Sequence, residues 1–180
     1  RRSADAVMIG AGTLKADNPS LLPRPSWGRA PYRVIVSDSG NLPVRAKVFT
    51  DEAADRTLVF VPKDVRSTAL EPLARRGVRI IRLAARGGRI SLRAILKALA
   101  GFDIMHVLCE GGGGMAESLI RERVCDEIKI FYAPLVMGSS GLPCVSGPGW
   151  KLDRAPRFRV VDLDQAGPDV LVTLKPTEQN

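Results

Sequence analysis

The residues best suited to chemistry are four consecutive glycines, Gly111 to Gly114, entered through Val107-Leu108-Cys109-Glu110 and left through Met115. An apolar run that stops at glycines and gives way to a helix lets the backbone approach a ligand closely. It also aims the unpaired amides of the helix start at an anion. A diphosphate cradle is the chemistry this pattern favours. It is not a Walker loop, because no Gly-Lys-Ser/Thr comes after it, and it is not the Rossmann fingerprint, whose glycines are spaced rather than run together. A tight strand-to-helix turn without a ligand is the competing explanation, and the folding entropy lost at four glycines weighs against it.

A second glycine-rich turn, Gly10-Ala11-Gly12, comes after Ala6-Val7-Met8-Ile9 and leads through Thr13 to Asp17-Asn18-Pro19. Thr13 can cap the short helical turn here or bond a ligand, and the Asn18-Pro19 step ends the turn. Both turns come directly after strands. In an open parallel sheet the carboxyl ends of strands share one edge, where ligands gather, so the pair says more than either turn alone. No catalytic triad or metal site can be assembled. The single histidine, His106, lies inside the strand leading to Cys109 and reads as structural, and Cys109, Cys125 and Cys144 are widely spaced without a Cys-x-x-Cys pair. The thiols are expected to be reduced, in a cytoplasmic protein without zinc.

Periodicity indicates the elements that must position these turns. Strands are predicted at 6–9, 33–36, 57–61, 78–83 and 104–109, with helices over 67–76, from Ser91 to a stop at Gly101, and over 115–123. Beyond that the pattern changes to strands at 127–131, 157–163 and 170–174 without intervening helices, the last two joined by a turn-rich connection over 164–169. Parallel α/β units with an antiparallel end indicate an open mixed sheet in a single domain over 1–180. Residues 18–31 carry four prolines and form a long loop, as do 138–148, and long loops in compact domains are more often functional than idle.

Composition narrows the partners. The 180 residues are 45% apolar and 26% charged, with no apolar run long enough to span a membrane. The net charge of +8 favours anionic partners. The basic residues are spread along the chain, and no nucleic-acid motif accompanies them. A phosphorylated small molecule together with a phosphorylated cofactor accounts for the charge; neither nucleic acid nor membrane is expected.

Taken together, Ala4-Asp5-Ala6-Val7-Met8-Ile9-Gly10-Ala11-Gly12-Thr13, Ala16-Asp17-Asn18-Pro19-Ser20-Leu21, Arg33-Val34-Ile35-Val36 and Glu110-Gly111-Gly112-Gly113 resemble the riboflavin-biosynthesis reductases. Val124-Cys125-Asp126-Glu127-Ile128 and Tyr132-Ala133-Pro134-Leu135-Val136-Met137-Gly138 extend the likeness, which runs from Ala4 to Leu174. The resemblance implies a dihydrofolate-reductase-like three-layer fold, with a mixed, mostly parallel central sheet ending in an antiparallel hairpin. It also implies a homodimer and NADPH-dependent reduction of the ribosylamino side chain of a pyrimidine 5′-phosphate to ribitylamino. Relative to the family pattern, the chain starts after the usual first strand and its loop. By motif position, Thr13, Asp17, Asp38 and the segment Gly112, Gly113, Gly114, Met115 and Ala116 would contact the cofactor, whereas Leu21, Arg24 and Glu110 would face the substrate. Arg24 suits a phosphate through bidentate bonding. The hard chemistry would belong to the nicotinamide, and the protein would orient it. The alternatives are another reductase of this fold acting on dihydrofolate or an imine, or a non-catalytic nucleotide-binding module. Arg24 favours a phosphorylated substrate, since a pterin site would need an acidic residue instead.

Overall fold

A computed structural model describes residues 1, 3–23, 30–138 and 141–177. The first strand, β1 (Ala6–Gly10), leads into α1 (Ala11–Asp17) and then β2 (Tyr32–Val36) and β3 (Thr57–Pro62). Next come α2 (Leu70–Ala74), β4 (Arg79–Leu83), a small hairpin of β5 (Ala85–Arg86) and β6 (Arg89–Ile90), and α3 (Leu92–Ala100). The chain continues through β7 (Val107–Cys109), α4 (Gly113–Arg121), β8 (Ile128–Tyr132), β9 (Phe158–Ala166) and β10 (Asp169–Pro176).

Five strands form one parallel sheet in the order β4-β3-β2-β1-β7. Its inner strands are apolar at nearly every position because both faces are covered, which a parallel sheet requires. Alternate residues go to opposite sides. Val7, Ile9, Ile35, Val59 and Val61 join Leu14 of α1 and Leu73 of α2 in one core. Ala6, Met8, Val34, Leu58 and Phe60 join Ile95 and Leu99 of α3 in the other. Arg33 of β2 is the exception. It is 0% exposed, paired with Asp51 at 2.6 Å, and donates to the carbonyls of Val48 and Ser20 at 2.9 and 3.3 Å. A buried charge thus ties the start of the long loop to the sheet.

The antiparallel end, β8-β10-β9, is a separate sheet, and among the described residues it shares no ladder with the parallel one. The expected parallel strands and the antiparallel hairpin are both present, as two ladders among the described residues. The seam is made by α4 and the loop after β8. Ser146 donates its amide to the Gly113 carbonyl at 3.1 Å, and Arg121, ion-paired with buried Glu117, stacks over Trp150 at 4.7 Å.

Several boundaries differ from the periodicity. Residues 104–106 are not strand: the Met105 and His106 amides donate to the Asp5 carboxylate at 2.9 and 2.8 Å, which spends the bonds a ladder would use. The helix expected over 67–76 shortens to α2, because Ser67 turns its hydroxyl to the Gly40 carbonyl at 2.9 Å. The connection expected over 164–169 is mostly strand; Gly167 (φ +66°) and Pro168 alone separate β9 from β10. The β5–β6 hairpin has strands of two residues each, too short for periodicity to mark.

Candidate active site

The parallel strands end along one edge, in the order of the sheet, and the two glycine turns are neighbours there. The Glu110 amide donates to the Met8 carbonyl at 3.0 Å, which aligns the end of β7 with the end of β1. The Gly112 amide then donates to Thr13 Oγ1 at 3.1 Å and joins the turns directly. Thr13 is therefore not a helix cap: α1 starts at Gly10 with no side-chain cap, and the hydroxyl reaches across to the other turn. A hydroxyl that accepts one bond retains a proton to donate.

The four glycines fall into two kinds. A Cβ on Gly111 would lie 2.8 Å from the Met115 side chain, and one on Gly113 would lie 2.6 Å from the Pro143 carbonyl. The protein itself demands these two. A Cβ on Gly112 would meet only Thr13 Oγ1 at 3.5 Å, and one on Gly114 only Ser146 Oγ at 3.9 Å, while Gly12 has nothing within 4 Å. Packing does not explain Gly12, Gly112 or Gly114, all three exposed, and their open backbone leaves room for a ligand to approach it closely. At the start of α4 the Gly113 and Gly114 amides lack an intrahelical acceptor, as first-turn amides do. A diphosphate fits this place, with positive helix dipole behind it and no acidic side chain in the first turn. Met115 and Ala116, also expected at the cofactor, do not have free amides to offer. Both amides already donate to the Gly112 carbonyl, at 2.9 and 3.2 Å, and the Met115 methyl packs toward Gly10.

At the carboxyl end of α1 is a cleft of about 760 Å³, lined by Arg1, Ser3, Asp17, Ser20, Leu22 and Lys47 among others. Asp17 is the last residue of α1, and Asn18 comes next in the left-handed region (φ +43°), its side chain accepting the Lys47 amide at 2.9 Å. Glu110 pairs with Arg1 of the cleft lining, whose Nε and Nη2 donate to its two carboxylate oxygens at 2.7 and 2.5 Å; Arg1 Nη1 also donates to the Leu22 carbonyl at 3.0 Å. Sequence reasoning misses Arg1, because nothing local marks an arginine that acts 109 residues away.

Leu21 is corrected as well. Its side chain is 1% exposed in the core with Leu14 and Val48, so it does not face the cleft. Its φ of +60° is unusual for leucine, a strain that turns the chain at the cleft wall while the side chain stays inside. Arg24 lies outside the described residues. Asp38, at the end of β2, uses Oδ1 to accept the Ile90 amide at 3.3 Å. Cys109, beneath the glycines, is no nucleophile: burial pushes its thiol up to about 11, despite a hydrogen bond from the Gly111 amide that pulls the other way. Among the described residues no group of acids, cysteines and histidine could hold a metal ion.

Residues 1–172 match the family described as the RibD C-terminal domain. The riboflavin biosynthesis protein RibD of Bacillus amyloliquefaciens is 34% identical over 183 residues, covering 99% of this chain and 48% of that protein. The 2,5-diamino-6-ribosylamino-4(3H)-pyrimidinone 5′-phosphate reductase of Archaeoglobus fulgidus is 33% identical, covering 81% of this chain and 68% of its own length. Among solved structures, the Thermotoga maritima deaminase/5-amino-6-(5-phosphoribosylamino)uracil reductase superimposes with a TM-score of 0.78 at 30% identity, covering 98% of this chain and 46% of that one. The chain thus spans about half the length of its RibD relatives. With the match over residues 1–172, the chain belongs to the family described as the RibD C-terminal domain.

Proposed function

We propose that this domain binds NADPH along the carboxyl edge of the parallel sheet and reduces the ribosylamino side chain of a pyrimidine 5′-phosphate to the ribitylamino chain. The observation that carries it is the joined pair of glycine turns, with Gly12, Gly112 and Gly114 open where packing asks for no glycine. The cofactor would supply the hydride. Thr13 and the first-turn amides of α4 would hold its diphosphate, with Asp17 at the cleft wall. Glu110 stands at the end of β7, where it can bond sugar hydroxyls, and Arg1 holds its carboxylate in place. Arg1 and Lys47 make the cleft attractive to a phosphate, and Arg24 is proposed as its bidentate partner.

The test is NADPH oxidation by the complete protein with the ribosylaminopyrimidine phosphate and with its dephosphorylated analogue. The parent should prefer the phosphorylated form. Arg24→Ala should abolish that preference at a cost of about 2–3 kcal/mol, with Arg24→Lys rescuing it in part. A parent without preference would refute the substrate assignment, and a mutant that keeps the preference would refute the role of Arg24.

A cytoplasmic homodimer belongs to the same proposal. Register places Ile130, Tyr132, Val160, Leu163, Val170 and Val172 on one face of the antiparallel sheet, and Tyr132, Val160 and Leu163 are more than half exposed. A second copy would cover this apolar face, and light scattering on the purified protein reads its mass.

A further inference from the structure

The β5–β6 hairpin has a conspicuous position and an unfavourable composition. It comes after β4 on the same sheet edge as the glycine turns, and its base is held from two sides. Ile90 is buried beside Phe60 and Leu92 and donates its amide to Asp38 at 3.3 Å, while Ser91, the next residue, caps α3. The tip is Arg86-Gly87-Gly88-Arg89. Gly87 and Gly88 both have positive φ, +56° and +76°, the conformation of a tight two-residue hairpin turn.

That turn places Arg86 and Arg89 directly opposite each other across the ladder. Like charges in that relation destabilise a hairpin. Both residues are exposed, and among the described residues neither belongs to an ion pair. A Cβ on either glycine would have nothing within 4 Å, so the turn between the two exposed arginines is open. An anion seated there would turn the repulsion into attraction.

The place of the hairpin says which anion. Strand ends succeed one another at about 4.8 Å. The turn after β2 therefore lies on the order of 10 Å from the glycine run after β7, two strands along the edge. If a dinucleotide with its diphosphate on Gly112 and Gly114 ran its adenosine half toward β2, its ribose would reach the turn after that strand. An acid at the end of the second strand would suit a free ribose 2′-hydroxyl. Asp38 occupies that position, but it accepts the Ile90 amide and so ties the arginine hairpin to that turn.

We propose that the Arg86–Arg89 turn reads the monophosphate on the adenosine ribose, and thereby selects NADPH over NADH. This rests on the cofactor site proposed above. Arginine's fixed fork suits a phosphate, and two of them suit a dianion.

The experiment is calorimetric titration of the complete protein with NADPH, NADH, 2′,5′-ADP and 5′-AMP. The parent should prefer NADPH and 2′,5′-ADP over their counterparts. Arg86→Gln and Arg89→Gln should each weaken those two ligands by about tenfold or more, leaving NADH and 5′-AMP within about twofold. The lysine variants should recover part of the loss. Both side chains are exposed, so unchanged melting temperatures are expected to show that the variants fold. Variants that retain the parent's preference would overturn the hairpin's role while leaving the cofactor site standing, and equal losses for both dinucleotides would overturn it too. A parent that binds NADH as tightly as NADPH would overturn the selection proposed here, and a parent that binds neither would overturn the cofactor site itself.

Discussion

Phe60 in β3 and Leu163 in β9 are both large apolar residues in well-formed strands, yet Phe60 is 0% exposed and Leu163 is 67% exposed. The difference lies in how the chain leaves each strand. In the parallel body, crossover segments return helices to both faces, and every inward residue finds a partner. In the antiparallel end, β9 passes by a tight turn into β10, and among the described residues no helix returns over it, so one apolar face stays exposed. An apolar strand residue states a need for burial, and the topology determines whether this chain meets that need alone.

The largest expected effects test this contrast directly. Phe60→Ala should cost about 3–5 kcal/mol through the cavity it opens. Leu163→Ala should change monomer stability by no more than about 0.5 kcal/mol. Urea unfolding of the two variants at low protein concentration makes the comparison, and similar losses would show that the antiparallel face is already covered within one chain.

The seam between the regions gives an intermediate effect. Gly113→Ala places a methyl against the Pro143 carbonyl and the Ser146 amide, so it should destabilise by about 1–3 kcal/mol. Gly112→Val meets no such neighbour. It should leave the melting temperature nearly unchanged and weaken NADPH binding strongly, since the branched side chain would stand where the diphosphate belongs. If Gly113→Ala melts like the parent, the loop after β8 is not anchored on α4.

A smaller effect is expected from Glu122, which links the end of α4 to the start of α3 within the body. Burial pushes this carboxyl up. Hydrogen bonds from the Arg93 amide, the Ser91 hydroxyl and the Leu92 amide, together with the Arg93 charge, outweigh burial and hold it below the usual range. A carboxylate with a lowered folded pKa stabilises fully above its unfolded value, about 4.3 for glutamate, and loses that contribution as pH falls through the folded value. The parent should therefore lose stability more steeply than Glu122→Gln as pH falls below about 5. Parallel curves for the two proteins would remove Glu122 from the account.

Thr13→Ala is the mildest change. It removes the hydrogen bond that joins the glycine turns and should cost about 1 kcal/mol of stability. The loss of NADPH affinity should be the larger effect. Thermal melts with and without NADPH separate the two quantities, and a mutant stabilised by the cofactor as much as the parent would return Thr13 to a purely structural role.

Much of this is legible in the residues. Unbroken apolar runs such as Leu58–Val61, together with the alternation of strands with helices, imply a parallel sheet covered on both sides, because the helices that join parallel strands pack on its two faces. The two glycine turns after strands imply a shared ligand edge for the same topological reason. Local pattern cannot separate Gly111 and Gly113, required by Met115 and Pro143, from Gly112 and Gly114, which face open space, since the four are chemically identical and most of their neighbours come from distant segments. Nor can it tell that the Thr13 hydroxyl spans two turns, that Leu21 turns inward, or that Asp38 holds a hairpin. Periodicity and turn chemistry act over a few residues and are carried by the sequence itself. The meeting of Arg1 with Glu110, or of Gly112 with Thr13, is decided by which strands lie side by side, and that exists only once the sheet has formed.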